Sequence, residues 1–225
     1  VPVLALPARG GRFYDWENNG MPEAVARLLH EGKMQLFCAD SIDAESLLAG
    51  HETPRRRAEM QEKYFVYLTA ELAPRIAALN APEAKKPPLI WCAGVDTGAY
   101  QAVQCRLRRP GVFAGAVGLS GLYDMSRFLG GCEDDLVLRS SPLAALRKNG
   151  ICNKNLLAKA EENTLLLCVG QGGYEGDALA DTQALADTLK ETGLPCHLEV
   201  WGGDVSHDWY WWGKEFGMFA ERLFG

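Results

Sequence analysis

Short apolar runs alternate with longer amphipathic segments along the whole chain. The apolar runs have the length of buried strands, and each is followed by a polar or glycine-rich stretch. They are Val1 to Pro7, Met34 to Ala39, Pro88 to Cys92, Val112 to Leu119, Thr164 to Val169 and His197 to Trp201. Strands that alternate with helices favour a mostly parallel central sheet with helices on both faces. The sequence therefore predicts an α/β fold, as a single domain over residues 1–225.

The segments between these runs have the spacing of helices. The predicted helices are Pro22 to His30, Pro54 to Asn80, Ala99 to Arg109, Asp177 to Glu191 and Trp209 to Leu223. Pro74 lies inside the longest of them and is expected to bend it or to end its first half. Residues Met125 to Glu162 have no strong period and are expected to form short helical pieces over the rim of the sheet.

Polar residues that follow the strands are the candidates for a site, because ligands of parallel sheets bind beyond the carboxyl ends of the strands. These stretches are Arg9 to Arg12, Asp40 to Ser46, Asp96-Thr97, Ser120 to Asp124, Gln171 to Asp177 and Asp204 to Asp208. The carboxylates of Asp40 to Ser46 could suggest a metal site, but a helix-capping loop is the favoured interpretation. The glycines of Ala8 to Arg12 could place N–H groups beside a reacting oxygen, or could simply form a turn.

The stretch Gly94-Val95-Asp96-Thr97-Gly98 has the pattern of a nucleophile elbow. Small residues at both ends allow a strained turn between a strand and a helix, which lifts the central side chain above the sheet. The lifted residue is normally serine, and here it is Asp96. His207 follows the last predicted strand, and Glu175 or Asp177 comes before it. The chain thus offers nucleophile, acid and histidine in the order that hydrolases with this elbow use.

The chain resembles the esterase D-like, or putative esterase, family of the α/β-hydrolases over nearly its whole length. The resemblance rests on Gly10 to Tyr14, Asp40 to Asp43, the elbow from Gly94 to Tyr100, Leu119 to Asp124, and His207-Asp208-Trp209 followed by Tyr210 to Trp212. It implies an α/β-hydrolase fold without a large cap domain. It also implies cleavage of carboxylic esters or acyl transfer, with no metal and no cofactor.

The resemblance also implies roles for individual residues. His207 would be the general base, Glu175 the acid that orients it, and Asp177 the reserve for that acid. The N–H of Thr97 and one N–H from Arg9, Gly10 or Gly11 would form the oxyanion hole. Asp96 departs from the family pattern at the nucleophile position.

Asp96 changes the chemistry that can be expected. A carboxylate that attacks an ester must expel a far more basic alkoxide and leave an anhydride, so the intermediate collapses backward. Ordinary serine-esterase turnover is therefore expected to be lost or strongly reduced. Thr97, Ser120 and Ser206 are disfavoured as replacement nucleophiles because none occupies the lifted position.

Two alternatives remain open. Attack of Asp96 at saturated carbon would give an alkyl-enzyme ester that a histidine-activated water could hydrolyse, as in haloalkane dehalogenases and epoxide hydrolases. Dehalogenases have a Trp where this chain has Thr97, and epoxide hydrolases use tyrosines from a cap. Tyr64, Tyr67 or the Trp209 to Trp212 cluster could line a pocket, or equally could pack a helix onto the sheet. The other alternative is a non-catalytic binding or interaction protein in which Asp96 and His207 form an ion pair.

Composition limits the kinds of partner that are expected for the protein. The net charge is −6 and the hydrophobic content 48%, which favours a small-molecule ligand or ester-like substrate over nucleic acid and leaves a homo-oligomer open. No apolar run approaches the roughly 20 residues of a membrane helix, and the first residues do not have the pattern of a signal peptide. The seven cysteines are scattered and lie mostly in apolar runs, which is typical of reduced core thiols. A cytoplasmic location is expected.

Overall fold

A computed structural model of the protein describes residues 1–83, 85–130, 134–148 and 164–225. The strands of these segments form one six-stranded sheet in which every neighbouring pair is parallel. They are β1 (Pro2–Leu6), β2 (Gln35–Cys38), β3 (Ile90–Val95), β4 (Phe113–Leu119), β5 (Leu165–Val169) and β6 (His197–Val200), in the order β2-β1-β3-β4-β5-β6. Every predicted strand is present, and β3 continues beyond its predicted end to Val95.

The helices agree with the sequence predictions except in two places, and the short helix Asp15–Asn18 was not predicted. They are α1 (Asp15–Asn18), α2 (Met21–Ala24), α3 (Ala26–His30), α4 (Pro54–Val66), α5 (Ala73–Asn80), α6 (Thr97–Arg108), α7 (Ser126–Leu129), α8 (Asp135–Arg139), α9 (Pro142–Arg147), α10 (Gly176–Glu191) and α11 (Trp209–Phe224). The short pieces expected within 125–162 are α7 to α9; residues 131–133 and 149–163 of that region lie outside the described residues.

The first difference is that the single helix predicted from Pro22 to His30 is wrong. The backbone leaves the helical region at Val25, where φ is −123°, so α2 and α3 are separate turns. The second difference concerns Pro74, at which the helix does not end. A π-helical turn, Tyr67–Leu72, joins α4 to α5 and places Pro74 in the first turn of α5. Proline is tolerated there because its missing N–H interrupts little of the hydrogen-bond pattern.

Alternate residues of each strand face opposite sides of the sheet, and both sides are buried. Val3 and Ala5 pack with Trp16 and Phe216 on the side covered by α1, α2, α3 and α11. The intervening strand residues, such as Leu4, pack on the side covered by α4, α5, α6 and α10. This is the predicted α/β arrangement with helices on both faces.

The register of the strands brings their carboxyl ends together. Leu6 lies opposite Gly94, and Val95 lies opposite Leu119. Leu119 in turn lies opposite Cys168, and Val169 opposite Val200. The loops that follow β1, β3, β4, β5 and β6 therefore leave the sheet side by side, which is the edge where a site is expected.

Two further features bear on the predicted cellular context. The five described cysteines, Cys38, Cys92, Cys105, Cys168 and Cys196, are free thiols; Cys132 and Cys152 lie outside the described residues. Among the described helices, none combines the length and the apolar character needed to cross a bilayer.

Glu215 is a carboxyl group buried in the core between α11 and the sheet. Its side chain is fully buried, and no N–H or O–H group of the described chain reaches either oxygen. Burial raises its pKa from 4.5 to about 8; the Cys168 thiol opposes this shift, and the nearby charges of Glu175, Asp208 and Glu199 add to it. The folded protein therefore holds Glu215 protonated at neutral pH, whereas the unfolded chain ionises it.

Glu215→Gln is expected to remove one component of the pH dependence of stability. In the native protein the contribution of Glu215 to the free energy of unfolding is most favourable below about pH 4.5. It is lost as the pH rises toward 8, because the folded state binds a proton that the unfolded state has released. The melting temperature of Glu215→Gln relative to the native protein should therefore increase between pH 5 and pH 8. Thermal unfolding at several pH values measures this.

The exposed Glu71 provides the control, because Glu71→Gln removes a carboxylate without removing a buried one. Two results would contradict the account. One is a difference in melting temperature between Glu215→Gln and the native protein that stays constant from pH 5 to pH 8. The other is a difference equal to that of Glu71→Gln.

Candidate active site

The elbow is built by close contacts between backbone atoms. A Cβ atom on Gly94 would lie 2.1 Å from the carbonyl oxygen of Gly98, and one on Gly98 would lie 2.3 Å from that of Pro7. Only glycine allows β3, α6 and the end of β1 to approach this closely. Between the two glycines Asp96 has φ 52° and ψ −119°, a backbone conformation that residues other than glycine rarely adopt. The strained turn predicted from the sequence is therefore present.

Arg9 holds both carboxylate oxygens of Asp96. The backbone N–H of Arg9 donates to Oδ2 at 3.1 Å, and its Nη2 group donates to Oδ1 at 3.3 Å. The Asp96 side chain is 7% exposed and that of Arg9 is 42% exposed, so a nearly buried carboxylate pairs with a partly exposed guanidinium. Hydrogen bonds from charged groups to a carboxylate are stronger than neutral ones.

The candidate oxyanion-hole donors point in different directions. The Arg9 N–H is already bonded to Asp96, and the Gly10 N–H donates to Asp43 Oδ2 at 3.1 Å. The Gly11 N–H donates to the carbonyl oxygen of Ala8 at 2.8 Å. The N–H groups of Gly10 and Gly11 thus have acceptors within the protein, and a part for either of them in an oxyanion hole stays a prediction. Thr97 begins α6, and a helix offers no internal acceptor to its first N–H.

His207 lies between Glu175 and Asp96. Its Nδ1 is 3.3 Å from Glu175 Oε2, and its Nε2 is 3.9 Å from Asp96 Oδ1. The loops that carry His207 and Glu175 are joined by the His207 N–H, which donates to the Gly173 carbonyl at 2.9 Å. The shorter contact is with the acid, and the longer one with Asp96 exceeds hydrogen-bond range.

The structure distinguishes the two candidate acids. Glu175 is buried and contacts His207, whereas the Asp177 side chain is 80% exposed and pairs with Arg127 at 2.9 Å. Glu175 is the last residue before α10 and follows Tyr174, which has a positive φ of 64°. Asp177 lies in the first turn of α10 and points away. The expectation that Asp177 could replace Glu175 beside His207 is therefore wrong for this structure.

Asp43 is a site residue that the sequence did not single out. It is buried, and its Oδ2 accepts hydrogen bonds from the Gly10 N–H at 3.1 Å and from Thr97 Oγ1 at 2.8 Å. Gln61 Nε2 is 3.4 Å from its other oxygen. Burial raises the pKa of Asp43, and the charge of nearby Asp96 adds to that effect. Asp43 thus ties the loop after β1 to the start of α6, a role that its place in a polar loop after β2 only hinted at.

The other features considered in the sequence lie apart from the elbow. Asp40 pairs with Arg12 at 2.9 Å, so it does not join Asp43 in a shared site. Tyr64 and Tyr67 stack with ring centres 6.1 Å apart and line a surface groove to which Asp96 does not contribute. Trp212, in contrast, is buried and packs its ring edge-to-face on His207, with centres 4.9 Å apart.

The sequence matches the family model described as "Putative esterase" over residues 9–221. No curated protein matches it closely enough to count as a relative.

Solved structures resemble the fold at low sequence identity. A ferulic acid esterase has a TM-score of 0.67 at 17% identity, with 100% of this chain and 85% of that one covered. MPT51 of Mycobacterium tuberculosis has a TM-score of 0.69 at 19% identity, covering 100% and 88%. An S-formylglutathione hydrolase from Agrobacterium tumefaciens has a TM-score of 0.67 at 16% identity, covering 99% and 84%. Together with the sheet order, these likenesses show the α/β-hydrolase fold.

Proposed function

The chain belongs to the Putative esterase family, and we propose that it is an esterase-like α/β-hydrolase in which ordinary ester turnover is lost or strongly reduced. The observation that carries this proposal is the hydrogen bond from the Arg9 N–H to Asp96 Oδ2. An N–H group that would stabilise the developing oxyanion of a substrate is occupied by a carboxylate of the protein itself.

Competition between Asp96 and a substrate for the Arg9 N–H disfavours ester hydrolysis already at the stage of substrate binding. A substrate carbonyl oxygen would have to displace Asp96 Oδ2, which also belongs to an ion pair with Arg9. If water rather than Asp96 attacked the ester, the oxyanion would form next to the negative charge of Asp96. Both effects oppose the electrostatic stabilisation on which acyl transfer depends.

The nucleophilic step is disfavoured as well. His207 would normally take a proton from a hydroxyl group at the elbow, but a carboxylate has no such proton. Thr97 and Ser120 offer hydroxyl groups nearby, yet these donate to Asp43 and Glu175 respectively. An acyl group on Asp96 would be an anhydride, which the expelled alkoxide attacks again. The site is therefore poorly suited to cleaving an ester.

One observation favours a second function, hydrolysis at saturated carbon with Asp96 as nucleophile. The 3.9 Å between His207 Nε2 and Asp96 Oδ1 leaves the histidine free of a hydrogen bond to the carboxylate, so it could activate a water. The hydrogen bonds from Arg9 to both oxygens weigh against it, because they lower the nucleophilicity of the carboxylate.

Asp96→Ser is expected to raise hydrolysis of p-nitrophenyl acetate by about 10²–10³-fold over the native protein. The change supplies a hydroxyl group at the elbow, frees the Arg9 N–H, and leaves Glu175 and His207 in place. Steady-state kinetics of the two proteins measures the gain.

Asp96→Ala is the matched control, because it also frees the Arg9 N–H but supplies no nucleophile. It should remain inactive, as should the double variant Asp96→Ser, His207→Ala. A folded Asp96→Ser protein with no gain would show that the remainder of the site cannot support ester hydrolysis.

The saturated-carbon alternative predicts a covalent alkyl adduct on Asp96 when His207→Ala is treated with alkyl halides or epoxides. The ester should accumulate because no histidine is present to activate the hydrolytic water. Intact-mass and peptide mass spectrometry detect it, with Asp96→Asn as the control. We expect no adduct across a broad panel of such compounds, and a stoichiometric adduct would replace our proposal with this one.

A further inference from the structure

Ser120 is a buried residue beside the site and forms hydrogen bonds with Glu175 and Trp212. Its hydroxyl group donates to Glu175 Oε1 at 2.6 Å and accepts a hydrogen bond from Trp212 Nε1 at 2.9 Å. Ser120 is fully buried, directly after β4. Its hydroxyl therefore serves the acid beside His207 and does not act as a nucleophile.

The backbone at Ser120 indicates that the side chain is needed there. Its φ is 46°, in the left-handed region that favours glycine, and its N–H donates to the Cys168 carbonyl at 2.8 Å. Gly121 is the next residue, so the chain has a glycine close by but not at the strained position. Strain that persists at a non-glycine residue points to a role for its side chain.

Glu175 needs the bond from Ser120 to keep its orientation. One carboxylate oxygen faces His207 Nδ1 at 3.3 Å, and the other receives the Ser120 hydroxyl. In a buried site an oxygen without a donor would be costly, so the two contacts together fix the rotation of the carboxylate. Without Ser120, Glu175 could turn, and Oε2 would leave Nδ1.

Trp212 contacts both Ser120 and His207. Its indole N–H bonds to Ser120, and its ring packs on His207 at an interplanar angle of 83°. Asp208 caps α11 by accepting the N–H groups of Tyr210 and Trp211, which fixes the helix turn that carries Trp212. The hydroxyl of Ser120 is thus itself oriented by a buried donor.

We propose that Ser120 is a positioning residue that, supported by Trp212, holds Glu175 in the orientation that keeps the neutral His207 ring in its Nδ1–H tautomer. This inference rests on the assignment of Glu175 and His207 to the site in the proposed function. It does not require the site to turn over.

The test is the tautomer of His207 in the intact protein, read from the ¹⁵N shifts of the imidazole nitrogens. The chain has four histidines, so the His207 signals can be assigned from their loss in His207→Gln. At a pH where the ring is neutral, the native protein should show His207 predominantly as the Nδ1–H tautomer. Ser120→Ala should convert it to a mixture with a substantial Nε2–H population, and Trp212→Phe should do so to a smaller extent.

Two further variants separate positioning from backbone strain and general packing. Ser120→Gly relieves the strain at φ 46° but lacks the hydroxyl, so it should show the same mixed tautomer as Ser120→Ala. Ser140→Ala removes a buried hydroxyl that donates to the Leu136 carbonyl of its own helical segment, and should leave His207 unchanged. If Ser120→Ala does not fold, Ser120→Gly decides the question.

A single Nδ1–H tautomer in Ser120→Gly would overturn the inference, and so would a native protein without a predominant Nδ1–H tautomer. A change in Ser140→Ala as large as in Ser120→Ala would overturn it too. Ester hydrolysis by the native protein would refute the proposed function without affecting this measurement.

Discussion

The close approach of Gly94, Gly98 and the end of β1 fixes where residue 96 lies, whatever its side chain. The contacts are between backbone atoms, so the elbow is a property of the fold and not of the nucleophile. This explains how the architecture of an esterase persists around a carboxylate. It also places that carboxylate beside the N–H of Arg9, because the register sets Leu6 against Gly94 and leaves the loop after β1 next to the elbow.

In the resulting site the polar groups mainly form hydrogen bonds and ion pairs with one another. Asp96 binds Arg9, Glu175 binds both His207 and Ser120, and Asp43 joins the loop after β1 to the start of α6. Such a network rigidifies the site, and each buried polar group that has its partner costs little. In this structure the carboxylate of Asp96 accepts the Arg9 N–H, which the proposed function assigns to a substrate oxygen when serine stands at position 96. The same preorganisation that assists catalysis in an esterase thus stabilises the resting site here.

The strands and the elbow could be predicted from the sequence because buried parallel strands are continuous apolar runs and glycine marks close backbone approach. The choice between Glu175 and Asp177 could not, because both follow β5 and only their tertiary contacts, with His207 and with Arg127 respectively, distinguish them. The contacts of Arg9 and Asp43 with the elbow join segments far apart in the chain, and no local pattern encodes them. The break at Val25 and the π-turn before Pro74 are likewise local adjustments that the helical spacing of apolar residues does not reveal.

The most direct test of the central claim is the hydrolysis of p-nitrophenyl acetate by the native protein and by His207→Ala under identical conditions. If Asp96 occupies the place of both the nucleophile and the oxyanion, the two proteins should release p-nitrophenol at the same low rate. Turnover by the native protein at the rate of an ordinary serine esterase, abolished by His207→Ala, would contradict the account.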